Sequence, residues 1–270
     1  MKIKGLLLLF KRTTELFQYY YGPALFSFFT QNAIAFDRAN SRVKIIMLPS
    51  SFFDRDPLDV APSLLGKLIR FKNGGHWLSA LIIETEAYKL EDKASHASLG
   101  YTPKRKALFM PPGTIYMYYA RGGDSLNISC RGPGNAVLIK SGHTFWDSFC
   151  SPKALEMMTE NGRTEPSKKK KEPESLCSGQ TLLCRSLGIK VKEWDQKSFT
   201  PHSFFIEDSP PLRPQKTIVT TRLGIPEGRD EHLFYRFIHY DYARYCTKNP
   251  LGRMRRKKTS PRGDKGYKIV

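Results

Sequence analysis

Trp77-Leu78-Ser79-Ala80-Leu81-Ile82-Ile83-Glu84-Thr85-Glu86-Ala87-Tyr88 reads as one long β-strand, and what flanks it sets the fold. The run is rich in Leu, Ile and aromatic side chains, which suit a pleated, half-buried surface. Asn73-Gly74-Gly75 supplies a turn immediately before it. Lys67 to Phe71 therefore predicts a partner strand, preceded by a helix from Pro57 with Leu58, Val60, Leu64 and Leu65 at helical spacing. Downstream, Gly113 to Ala120, Leu126 to Cys130 and Ala136 to Lys140 predict three more strands. Arg121-Gly122-Gly123-Asp124 and Arg131-Gly132-Pro133-Gly134-Asn135 connect them as short, turn-rich loops, which implies antiparallel pairing. Pro152 to Glu160 and Ser178 to Leu187 predict helices, and Thr217 to Leu223 another strand. The expected architecture is α+β, a single domain with a curved, mainly antiparallel β-sheet flanked by helices.

The chain has 270 residues, of which 40% are hydrophobic and 12% aromatic, enough for a packed core. Wholesale disorder, collagen and coiled coil are excluded. Its formal charge is +19. Residues 1–46 contribute +5, residues 251–270 contribute +7, and the remainder is also basic. Such a charge favours a polyanionic partner, nucleic acid or an anionic membrane surface. The run from Leu16 to Phe36 is uncharged and as long as a membrane span, but Gln18, Gly22, Pro23, Gln31 and Asn32 interrupt it. No stable membrane association is expected. Residues 1–46 are read instead as an N-terminal extension, possibly dispensable, with residues 47–250 as the functional domain and residues 251–270 as a basic, disordered tail. The five cysteines show no zinc or redox spacing, which suits a reducing, intracellular compartment.

On the long strand, Glu84, Glu86 and Tyr88 alternate onto one face while Ile83, Thr85 and Ala87 take the other. Two acids beside an apolar strand are solvated, paired or catalytic. Neighbours on one strand face cannot easily flank a glycosidic bond from both sides, as a sugar hydrolase requires, so a single-base mechanism fits better. His96 lies in Glu91-Asp92-Lys93-Ala94-Ser95-His96. Tyr116 and Tyr118 share a strand face, either as core or as a stacking platform for bases. Arg121 sits at a Gly-rich hairpin tip, and Asn127 opens the return strand.

Taken together, Glu84-Thr85-Glu86-Ala87-Tyr88, Glu91-Asp92 with Ser95-His96, and Pro112-Gly113-Thr114-Ile115-Tyr116-Met117-Tyr118 resemble the alkyladenine (3-methyladenine) DNA glycosylase family. Phe52-Phe53-Asp54, Leu126-Asn127-Ile128-Ser129 and Leu176-Cys177-Ser178-Gly179 extend the resemblance from about Leu48 to about Thr247 in consistent order and spacing.

The resemblance implies hydrolysis of the N-glycosidic bond of alkylated or deaminated purines, such as 3-methyladenine, 7-methylguanine or hypoxanthine, in double-stranded DNA. Glu86 then corresponds to the general base that activates water, and Tyr88, His96 and Tyr118 to the residues that sandwich an extruded base. Asn127 corresponds to a position used against normal guanine. Lys140 stands where relatives carry a phosphate-binding arginine, without that residue's bidentate fork. At Arg121 the family carries a tyrosine wedge, and arginine is expected to take that role here. The loops after Tyr88 and after Arg121 are each one residue shorter than in the family. The implied enzyme is monofunctional, leaves an abasic site and needs neither metal nor cofactor. It is expected to be monomeric and intracellular, in the cytoplasm or nucleoid of a bacterium or the nucleus of a eukaryote. The alternative reading is a catalytically silent nucleic-acid-binding protein.

Overall fold

Strand β2 (His76–Tyr88) is paired along both edges, so its position dictates that of every other strand. The structure, a computed structural model, describes residues 46–120, 122–163, 171–252 and 266–270. Strand β1 (Leu68–Asn73) returns into β2 through Gly74 and Gly75, both at positive φ, the conformation a two-residue primed turn demands. Strand β5 (Ala136–Thr144) lines the opposite edge of β2. Strands β4 (Gly123–Ser129) and β3 (Ile115–Ala120) follow outward from β5.

On the first edge β1 leaves the ladder, and strand β8 (Arg236–His239) pairs with Glu84, Thr85 and Glu86 in its place. Strands β7 (Thr217–Thr220) and β9 (Tyr267–Ile269) lie beyond β8, while β6 (Phe204–Glu207) pairs with β1. Every pairing among these nine strands is antiparallel. The α+β architecture expected from the sequence is thus the one observed, over the compact unit Ile46–Val270.

Helix α1 (Pro57–Ser63) starts where Asp56 caps it, accepting the Leu58 N–H at 2.9 Å, with proline at its first position. It packs on β2, and Thr85 Oγ1 donates to the Ala61 carbonyl at 2.8 Å. Helices α2 (Ala154–Gly162) and α3 (Gln180–Leu187) cover the same face, bringing Met158, Leu183, Cys184 and Leu187 against Ile82, Leu126 and Ile139. Truncating one of these buried side chains, such as Ile139, to alanine costs about 2–5 kcal/mol. Beneath β1, the buried Arg70 donates to Glu207 and to Asp147, both at 2.6 Å, so two carboxylates match one desolvated cation.

The two faces of β2 are not related by simple alternation. Ile82 belongs to the helix-side core and Ile83 to a second cluster on the opposite face, with Leu81, Ile218 and Ile238. The register to β5 then slips twice, between Ile82 and Glu84 and again between Glu84 and Thr85. Beyond this bulge, Thr85 and Ala87 return to the helix side. Ile83 therefore shares a side with Glu84, contrary to the strict alternation read from the sequence. Unbroken period two would have carried Glu84 and Glu86, like Ile82, into the apolar core.

Three further expectations are corrected. Strand β4 begins at Gly123, so the connection after β3 is shorter than the four-residue turn predicted. Strands β6 and β8 are additions. Residues Tyr267–Ile269 are not part of a disordered tail: they form β9, whose backbone completes the open edge of β7. Residues 1–45, most of the expected tail and the lysine-rich loop before Lys171 lie outside the described residues.

Candidate active site

Cross-strand register gathers the site. Tyr116 of β3 faces Asn127 of β4, Asn127 faces Leu138 of β5, Leu138 faces Glu86 of β2, and Glu86 faces Arg236 of β8. Directly opposed residues project to the same side of a sheet, so this row lies on the face away from the helices. The bulge is what admits Glu86 to it.

Glu86 is fully buried. The Tyr88 hydroxyl donates to its Oε2 at 2.7 Å, and the Leu223 N–H donates to Oε1 at 3.3 Å. Lys140 Nζ lies 3.4 Å from Oε1 and 3.5 Å from Oε2. Lys140 is the residue passed over where β5 goes from Ser141, opposite Glu84, to Ile139, opposite Thr85. Its ammonium group is turned to the Glu86 carboxylate. A carboxylate has about four lone-pair positions, so these donors leave room for one more O–H, such as that of a water molecule.

Glu84 is differently engaged. Arg236 Nε donates to it at 2.6 Å, the Thr247 N–H at 3.0 Å and the Thr247 hydroxyl at 3.1 Å, and the Ser141 hydroxyl donates as well. A carboxylate so enclosed ties β2 to β8 and has no face open to chemistry.

The rings form the other wall. Ser95 caps a short 3₁₀ turn (His96–Leu99) by accepting the Ala97 N–H, which fixes His96 at its first position. The His96 ring meets Tyr118 edge-on with centroids 4.4 Å apart, and its Nδ1 is 2.9 Å from the Tyr116 hydroxyl. Tyr116 and Tyr118 stack at 5.6 Å. Burial, followed by the charges of Arg105 and Arg229, lowers the His96 pKa, so the ring is neutral at neutral pH. Burial and the Glu86 charge hold the Tyr88 hydroxyl protonated, well above its ordinary range. Tyr118 is raised by burial, with the Glu86 charge adding to it, which ties the ring wall to the carboxylate. Asn127 is buried, and its amide donates to the Tyr116 carbonyl at 3.3 Å.

The structure thus brings Glu86, Tyr88 and Lys140 together, and separately His96, Tyr118 and Asn127 around Tyr116. Arg121 lies outside the described residues. Sequence reasoning missed Arg222, Asp92, Leu223 and Arg236. Arg222 is buried, paired through two nitrogens with Asp92, and also donates to the Ala87 carbonyl at 3.1 Å. Asp92 lies in the same segment as His96, but only the fold reveals its partner from 130 positions away. Among the described residues no group of three or more His, Cys, Asp or Glu side chains is arranged to share a metal ion, and no helix is long and apolar enough to cross a membrane.

A family model described as methylpurine-DNA glycosylase matches residues 51–243. A protein of Pseudomonas aeruginosa (strain UCBPP-PA14) named "Putative 3-methyladenine DNA glycosylase" is 58% identical over 206 residues, 76% of this chain and 85% of that protein. One of the same name from Pseudomonas fluorescens (strain Pf0-1) is 56% identical over 221 residues, 80% of this chain and 93% of the relative. A more distant one, from Carboxydothermus hydrogenoformans, is 32% identical over 195 residues, 71% of this chain and 94% of the relative.

Proposed function

The chain belongs to the methylpurine-DNA glycosylase family, and from that premise we propose that it excises alkylated and deaminated purines from duplex DNA with Glu86 as general base. Membership makes it a DNA glycosylase acting on methylated purines, a hydrolase of N-glycosyl bonds. The target base lies inside the helix, so the nucleotide is extruded before any reaction. Tyr88 takes one face of the base, and the His96–Tyr118 pair takes the other. Asn127 crowds the exocyclic amino group of undamaged guanine. Glu86 accepts a proton from water as its oxygen bonds to C1′ of the deoxyribose, and the C1′–N bond breaks with its electrons leaving on the purine. 3-Methyladenine and 7-methylguanine leave as neutral bases because alkylation has already placed a positive charge on the ring. Hypoxanthine must instead carry away negative charge or gain a proton.

The observation carrying this reading is the buried Glu86 carboxylate, held by Tyr88 and Lys140 on the sheet face that also presents the His96–Tyr118 wall. Lys140 keeps that carboxylate paired and receives the phosphate of the extruded nucleotide. Arg121 fills the gap left in the helix. We read residues 47–250 as the glycosylase domain, residues 1–46 as dispensable, and the protein as a monomer that releases the base and leaves an abasic site uncut. The test is incubation with duplexes bearing 3-methyladenine, 7-methylguanine or hypoxanthine, followed by alkali. Strand scission only after alkali supports the proposal. A protein that binds each duplex without releasing any base would be a nucleic-acid-binding protein with no catalytic role.

A further inference from the structure

Arg222 stands behind Tyr88. Its guanidinium carbon lies 4.7 Å from the Tyr88 ring centroid and 5.3 Å from that of Tyr235, so the cation is held between two aromatic faces. Its side chain is fully buried. Both Asp92 oxygens and the carbonyls of Ala87 and Asp230 accept from it. Asp92 is itself held, because its Oδ1 accepts the Ala94 N–H at 2.9 Å. The guanidinium end of a buried ion pair is therefore fixed against one face of Tyr88 before any base arrives.

The face of an aromatic ring attracts cations through its quadrupole, and here that attraction is already used from behind. A base in contact with the opposite face sits about 3.5–4 Å from the ring, which puts it roughly 8 Å from the guanidinium. Across a dehydrated site that spacing is not screened by salt. A neutral purine stacks there without net charge repulsion, whereas a cationic one meets the guanidinium field. Glu86 with its Lys140 partner and the neutral His96 act on either base whatever stands behind Tyr88, so the Arg222–Asp92 pair adds its own increment to the choice between them.

We propose that Arg222 is a specificity-determining residue that, balanced by Asp92, shifts the pocket toward neutral damaged purines such as hypoxanthine and away from cationic ones such as 7-methylguanine. This rests on the reading that Tyr88 stacks on the extruded base.

The Arg222–Asp92 pair allows a test that separates charge from structure. Arg222→Met leaves the Asp92 carboxylate behind, and Asp92→Asn leaves the guanidinium behind. The readout is the ratio of single-turnover excision rates for 7-methylguanine and hypoxanthine in the same duplex, so general damage to the fold cancels. Arg222→Met raises the ratio at least about threefold, and Asp92→Asn lowers it by a similar factor. Shifts in the same direction, or no shift in either, overturn the inference. If neither variant folds, binding to the wild-type protein decides. Two duplexes with cleavage-resistant 2′-fluorinated sugars are compared, one carrying 7-methylguanine and the other its neutral 7-deaza isostere. Binding of the isostere at least as tight as that of the cation supports the proposal, and a cation bound about tenfold tighter overturns it. A wild-type protein that releases neither base would instead overturn the glycosylase reading itself, an outcome distinct from an unmoved ratio.

Discussion

Glu84 and Glu86 lie two positions apart on the same side of β2, yet only Glu84 is closed off by a guanidinium, with Arg236 Nε 2.6 Å from its Oε1. On the proposed mechanism the difference separates a structural acid, Glu84, from the general base, Glu86. Glu84→Gln leaves Arg236 buried without a countercharge, a kind of change that costs about 3–5 kcal/mol. The melting temperature is expected to fall by about 6–20 °C, while excision per folded molecule stays within about threefold of wild type. Thermal denaturation and single-turnover excision on the same preparation check both.

Tyr88 contributes a ring and a hydroxyl, and Tyr88→Phe removes only the second. The lost bond, 2.7 Å to Glu86 Oε2, involves a charged acceptor and is worth about 1.5–3 kcal/mol. Excision is expected to slow by about tenfold or more, with lesion-duplex affinity within about threefold, since the stacking face remains. Affinity that falls as far as the rate would place the hydroxyl in binding rather than catalysis.

Burial lowers the pKa of His143, edge-on to Tyr242 and Tyr245, to about 4. The unfolded chain then binds a proton that the folded one refuses, so stability is complete above about pH 6.5 and declines as pH falls toward 4. The full decline from this one residue is a few kcal/mol. Unfolding midpoints between pH 7 and 5 are expected to fall for wild type and to fall less steeply for His143→Phe.

Arg121 as the duplex wedge predicts a substrate-dependent defect. Arg121→Ala is expected to raise KM for a lesion in duplex DNA severalfold more than for the same lesion in a single strand, where no gap needs filling. Equal effects on both substrates would remove the wedge role.

Much of this site was legible because its chemistry is carried by local segments. Residues 84–88 declare a strand bearing acids, and the period of Tyr116 and Tyr118 declares that both rings share a strand face. The bulge was not legible: it depends on which residues of β5 oppose Ile82, Glu84 and Thr85, a relation between segments more than fifty positions apart. Arg222 and Arg236 were hidden for the same reason. A buried arginine looks like a surface arginine until the fold supplies Asp92 or Glu84 as its partner. Strand β8, only four residues long, has too short an apolar pattern to stand out from its surroundings.

The central claim concerns what the Glu86 carboxylate does to water, and Glu86→Gln tests it by keeping the shape while removing the basic oxygen. Single-turnover excision of a purine lesion from duplex DNA, measured beside binding of the same duplex, is predicted to fall at least about 10²-fold with affinity retained. Excision at a near-normal rate in that variant would contradict the account.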